Sequence, residues 1–121
     1  MKNIFTRALW ASLVCIGMAA QAQNASQPIR IIVPFTPGTG MDTIARTIQP
    51  RLSERLGQPV VVVNQPGASG NIGAEAVAKS APDGNTLLMG ANTMLIASQL
   101  YKNVNFNPIK DFAPVSMAAW G

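Results

Sequence analysis

Residues 28–57 read PIRIIVPFTPGTGMDTIARTIQPRLSERLG, and their order decides the fold. Ile29, Ile31, Ile32 and Val33 make a β-branched run of the kind that suits a strand covered on both faces. The loop Thr36-Pro37-Gly38-Thr39-Gly40 punctuates it. Beyond the loop, Met41, Ile44, Ala45, Ile48, Leu52 and Leu56 recur at i, i+3, i+4, i+7, i+11 and i+15, the spacing of one helical face. Gly57 stands where such a helix stops. Pro50 lies inside the pattern, and its missing N–H predicts one lost helical bond and a bend.

The next stretch repeats this logic. Residues 58–70, QPVVVVNQPGASG, hold a four-valine strand from Val60 and then a Pro-Gly loop. NIGAEAVAKSA, residues 71–81, predicts a second helix with Ile72, Ala76 and Val77 facing inward. Pro82-Asp83-Gly84 is a turn signal, and NTLLMG, residues 85–90, a third short strand. From Ala91 the chain reads as a polar, less patterned segment, and Phe112 to Ala119 as a fourth strand. Strand, helix, strand, helix, strand predicts a parallel α/β sheet with right-handed crossovers. Its carboxyl edge carries the loops after Phe35, Asn64 and Gly90, and open α/β sheets bind ligands at that edge.

Composition narrows the class. With 48% hydrophobic and 12% charged residues, the chain has a globular composition, and its 121 residues suffice for one small domain. The N-terminus MKNIFTRALWASLVCIGMAAQAQ has a basic start at Lys2 and Arg7 and a short apolar core from Ala8 to Ala20. Ala20-Gln21-Ala22 has the small-x-small pattern, so residues 1–22 are expected to be a cleaved secretory signal. The core is shorter than the roughly 20 residues a membrane span needs. Val14, directly before Cys15, does not fit a lipidation site. The remaining chain has neither cysteine nor histidine, and keeps seven basic against five acidic residues. So small and scattered a charge argues against nucleic acid as a partner.

Catalysis finds no support in the motifs. Thr43 stands where a dinucleotide fingerprint wants its third glycine after Gly38-Thr39-Gly40, and Asn64 where it wants an acid. A phosphate loop would need a lysine and a hydroxyl residue near Met41-Asp42. Without histidine there is no serine triad, and the residues around Ser69 lack nucleophile-elbow spacing. The scattered carboxylates form no metal cluster, and no cofactor is expected.

What remains is anion binding by backbone. Two successive loops, TPGTG and PGASG, each lead into a helix at the same sheet edge, where free N–H groups and the helix dipole favour negative charge. The sober reading stands beside this one: Thr39-x-x-Asp42 is a capping-box pattern with Asp in place of Glu, and it assigns Asp42 to the helix start.

The combination of PF-x-PG with D-x-x-AR, LGQPVVV-x-N-x-PGA-x-G-x-IG and APDG-x-TLL resembles the Bug family, the periplasmic solute-binding proteins of tripartite tricarboxylate transporters. The resemblance runs from Pro28 through YKNVNFNPIKDFAPVS. It implies an α/β fold, a parallel βαβαβ part of the first lobe of a type II periplasmic binding protein-like fold. Residues 23–121 are then expected to be an incomplete, truncated first lobe. The family's function implies periplasmic capture of a small organic carboxylate and its delivery to membrane permease subunits, without chemical change. A monomer with no stable membrane insertion after signal cleavage is expected. The alternative is an exported remnant unable to bind by itself.

By matching motif, the carboxylate would be held through backbone amides, hydroxyls and bridging water. The residues are Phe35, Pro37, Gly38, Thr39, Gly40 and Asp42 in the first loop, and Pro66, Gly67, Ala68, Ser69 and Gly70 in the second. Ala91, Asn92 and Thr93 would contribute from the third. Thr39 departs from the family's usual second glycine and adds a hydroxyl. Gln65 stands where a basic residue is common, and Pro50 is unusual for the first helix.

Overall fold

A computed structural model of the chain describes residues 27–119. The expected signal segment, residues 1–22, lies outside them. In chain order the elements are β1 (Ile29–Val33), α1 (Gly40–Leu56), β2 (Val60–Asn64), a single 3-10 turn (Ala68–Gly70), α2 (Asn71–Ala78), β3 (Thr86–Leu88) and α3 (Asn92–Leu100). The three strands form one sheet in the order β2-β1-β3. Both pairings are parallel, with Ile29 opposite Val60, Val33 opposite Asn64 and Ile32 opposite Leu88.

The central place of β1 follows from its composition. Ile29, Ile31, Ile32 and Val33 are all buried. Ile29, Ile31 and Val33 share one face and pack with Val60 and with Ala45 of α1, ringed by Phe35, Met41, Leu52, Val62, Leu87 and Met89. Ile32 alternates to the opposite face. The chain steps from β1 to β2 on one side and returns across β1 to β3 on the other. Right-handed crossovers in opposite directions put α1 and α2 on opposite faces, and α1 packs on β1 and β2 while α2 packs on β1 and β3.

The helices bury different residues from those the apolar pattern selects. On α1 the inward face centres on Asp42 and Ala45, while Ile48 and Leu56 are exposed. Gln49 turns its amide in to donate to the Val60 carbonyl at 2.8 Å. On α2 the buried residues are Asn71, Gly73 and Ala74, and Ile72 is 52% exposed. Ala76 and Val77 are half-buried. This helix lies so close to the chain at Pro34 and Gln65 that only small residues fit beneath it. The pattern rewards large apolar side chains, whereas close approach selects small ones.

The ends of α1 follow local chemistry. Thr39 is its N-cap, and the helix continues through the exposed Pro50 to Leu56 without ending there. Gly57 closes it at φ 64° and ψ 22°, with its N–H donating to the Ser53 carbonyl at 3.0 Å. A Cβ at this position would meet nothing within 4 Å, so the cost of a side chain is purely conformational. Gly57→Ala is expected to lower stability by about 1 kcal/mol, read as a shift in the urea midpoint at constant slope. An unchanged midpoint would show that the C-cap relaxes out of the left-handed region at no cost.

Two expectations for the last third are corrected. Residues 92–100 form a helix rather than an unpatterned segment. Leu95, Ile96 and Leu100 are all exposed while Ala97 is buried, so the helix offers no contrast of faces for a periodic pattern to show. The fourth strand from Phe112 to Ala119 is absent, since these residues have no regular structure. No described strand pairs with them, and Pro114 has no N–H to give a ladder. Phe112 instead packs its ring edge-on against Phe106, centroids 5.8 Å apart.

Candidate ligand-binding site

Because all three strands are parallel, the loops that follow them emerge at one edge. The loop after β1 lies between those after β2 and β3, with neighbouring strands about 4.8 Å apart. The strand order reverses its direction of travel between β1 and β3, which is the switch point where doubly wound sheets open a crevice.

The first loop is shaped from beneath by Asp42, which is 4% exposed. Its Oδ2 accepts from the Gly38 amide at 2.9 Å, and Arg46 Nε lies 3.0 Å from both carboxylate oxygens. Asn64, the last residue of β2, donates from Nδ2 to Asp42 Oδ1 at 2.9 Å and to the Phe35 carbonyl at 3.2 Å. Arg46 Nη2 donates in turn to Asn64 Oδ1 at 2.9 Å. One carboxylate thus ties together the loop, the first turns of α1 and the end of β2. The Arg46 hydrogen bond, the Gly38 amide and the Asn64 amide lower the Asp42 carboxyl from 3.8 to about 2, against the opposing effect of burial.

The capping expectation holds in half. Thr39 Oγ1 accepts from the Asp42 amide at 3.5 Å, a long contact, and donates to the Thr36 carbonyl at 3.1 Å. The Asp42 side chain reaches the Gly38 amide and not that of Thr39, so the reciprocal half of the box is shifted by one residue. With both carboxylate oxygens engaged by protein donors, Asp42 stands under the loop as its support.

The second loop makes a left-handed turn. Ala68 and Ser69 have φ of 47° and 56°, and Gly70 has φ 95° and ψ −5°. The Asn71 amide donates to the Ala68 carbonyl, so Ser69 and Gly70 are the corners of a type I′ turn leading directly into α2. Non-glycine residues seldom adopt such angles, and they persist where surroundings impose them. Gly70 is buried against Pro34 and Phe35 of the first loop. A second tie is Ser69 Oγ to Tyr101 OH, 3.1 Å apart.

The motif-matched residues therefore gather at one edge. Pro37, Gly38, Gly40, Pro66, Ala68, Ser69, Asn92 and Thr93 are exposed there, Thr39, Gly67 and Ala91 are half-exposed, and Phe35 turns into the core. Among the described residues the amides of Gly40, Met41, Ala68, Ser69, Asn92 and Thr93 donate to no protein group. Three sets of unpaired N–H groups thus lie in loops at a common edge, with the nearby charges of Asp42 and Arg46 paired to each other. Asn64, Arg46 and Tyr101 are absent from the sequence-based selection. Arg46 was legible as the i+4 partner of Asp42; Asn64 and Tyr101 reach their partners only through the tertiary fold.

Two shallow grooves lie along α1, away from this edge, one between Gln49, Ser53, Gly57 and Pro59 and one along Thr47, Ile48, Arg51 and Arg55. Among the described residues no three His, Cys, Asp or Glu are placed to hold a metal, and no helix is long and apolar enough to cross a membrane.

Residues 44–120 match the tripartite tricarboxylate transporter family receptor. BugT of Bordetella pertussis is 44% identical over 94 residues, which cover 76% of this chain and 29% of BugT. Among solved structures, MatC of Rhodopseudomonas palustris, with bound malate, is similar with a TM-score of 0.65 and 37% identity, covering 74% of this chain and 31% of MatC. A TctC solute-binding protein from Polaromonas gives a TM-score of 0.50 at 38% identity, over 55% of this chain and 23% of its own. The chain spans about a third of the length of the curated relatives it matches, from 28% to 35%. The Bug resemblance and the α/β fold are both borne out. This chain belongs to the receptor family of the tripartite tricarboxylate transporters, a family of solute-binding proteins and not of enzymes.

Proposed function

We propose that the protein captures a small organic carboxylate in the periplasm, as a monomer, and delivers it to the permease of a tripartite tricarboxylate transporter. The observation that carries this reading is the convergence of unpaired amides from three loops at one sheet edge. Those amides belong to Gly40 and Met41, to Ala68 and Ser69, and to Asn92 and Thr93. Carboxylate oxygens only accept hydrogen bonds, so a cradle of N–H and O–H donors suits them without a cationic side chain. The likeness to MatC, which holds malate, supports the same ligand chemistry. A di- or tricarboxylate or an acidic amino acid is the class proposed. Pro37, Gly38, Thr39 and Gly40, the turn Pro66 to Gly70, and Ala91 to Thr93 form this lobe's wall of the site, with Phe35 backing it from the core side, and Asp42 holds its first loop in shape. Residues 23–121 then form part of the first lobe, exported by the signal in residues 1–22.

Calorimetric titration with malate, citrate and glutamate, each paired with its neutral amide, tests the reading. Saturable binding of at least one acid is expected, with its amide showing none. Failure of all three acids, or equal binding of an acid and its amide, would overturn it.

A further inference from the structure

The Ser69–Tyr101 contact joins residues 32 positions apart. Tyr101 ends α3, its amide donating to the Ala97 carbonyl at 3.0 Å. Ala97 is buried, and α3 packs on α2 and on the 68–70 turn. The phenol is therefore delivered by a helix that starts at the third loop and finishes against the second. Ser69 itself stands at the corner of the type I′ turn, held at φ 56° where a serine is strained.

Resting on the carboxylate reading above, we propose that Tyr101 is a positioning residue for the ligand, acting through Ser69 by fixing the direction of its hydroxyl. A serine hydroxyl has one proton and two lone pairs, and a phenol is the better donor of the pair. When Tyr101 donates to Ser69 Oγ, the serine proton is released to point at a third group. A carboxylate at the loop can only accept, so phenol, serine and anion form a chain polarised in one sense, and each bond in such a chain strengthens the next.

The test is a double-mutant cycle on the protein with malate, citrate and glutamate as titrants, using Tyr101→Phe, Ser69→Ala and the pair. Both changes remove an oxygen and keep the remaining side chain. Tyr101→Phe is expected to raise the dissociation constant of the acid that binds by roughly five- to tenfold, the scale of one hydrogen bond between neutral groups. In the Ser69→Ala background the second change is expected to have no further effect. Thermal midpoints of all four proteins separate binding from folding. An unchanged dissociation constant in Tyr101→Phe with a lowered midpoint would assign the contact a structural role and overturn the proposal. An equal loss in both backgrounds would overturn it too, because Tyr101 would then touch the acid directly. If the unmutated protein binds none of the three acids, the carboxylate reading itself falls and carries this inference with it.

Discussion

Gly73→Ala is expected to destabilise the protein by about 3 kcal/mol, the upper part of the range for overpacking a tight interior. A Cβ there would stand 2.9 Å from the Gln65 carbonyl oxygen, 2.9 Å from Pro34 Cβ and 3.0 Å from Pro34 Cα. These are backbone and ring atoms, which no rotamer change can move aside. Relief requires α2 to lift from the sheet, and Asn71 and Ala74 would leave their buried positions with it. For a domain of this size such a loss lowers the thermal midpoint by roughly 10 °C or more. Gly90→Ala is the control. Its Cβ would meet only Leu88 and Met94 side-chain atoms at 4.0 Å, and a change within about 0.5 kcal/mol is expected. Equal midpoints for Gly73→Ala and the unmutated protein would mean that α2 packs less tightly than described. Because Pro34 and Gln65 begin the first and second loops, the substitution is also expected to disturb the binding edge.

Asp42→Asn is expected to be the most damaging isosteric change at the site. The amide can still accept at one atom, but its NH2 must face a donor, either the Gly38 amide or Asn64 Nδ2, and Arg46 loses its counter-charge. A drop of several degrees in thermal midpoint is expected, together with weaker carboxylate binding as Gly38 and Gly40 lose their fixed geometry. The pH dependence identifies the cause. The folded carboxyl titrates at about 2 and the unperturbed group at 3.8. A group whose acidity is enhanced in the folded state stabilises fully above its unfolded value, and that contribution disappears as pH falls through the folded one. The gap in midpoint between the unmutated protein and Asp42→Asn should therefore be constant above about pH 5 and close between pH 4 and pH 2. Glu75, lowered first by Lys79 and then by Asn105, titrates in the same direction but is present in both proteins and cancels. A gap that persists unchanged to pH 2 would remove the carboxylate from the account. Lost affinity without lost stability would instead make Asp42 a direct ligand contact.

The part of the site that could be read from the sequence was the part made by the backbone. Gly38, Gly40, Gly67 and Gly70 announce loops entering helices, and parallel strands bring those loops to one edge with few alternatives. The network under the first loop was only half legible. Asp42 and Arg46 lie one helical turn apart, so their pairing is local. Asn64 looked merely like a missing acid, yet it bridges Asp42, Arg46 and the Phe35 carbonyl. Its partners are up to 29 residues away in sequence.

By itself the sequence determined the three strands, the first two helices, their parallel arrangement and the places of the loops between them. Each rests on short-range causes: β-branched runs, helical spacing, glycines where a Cβ is unwelcome, and the handedness of crossovers. Only the tertiary structure decided which helix faces are buried, because that depends on how closely two backbones approach. Ala45, Gly73 and Ala74 therefore lie inside while Ile48 and Ile72 remain outside. It also decided the roles of Asn64 and Tyr101, whose hydrogen bonds exist only once β2 lies beside β1 and α3 beside the 68–70 turn. Apolar patterning sets what can be covered; the separation of the covering elements sets which side chains fit.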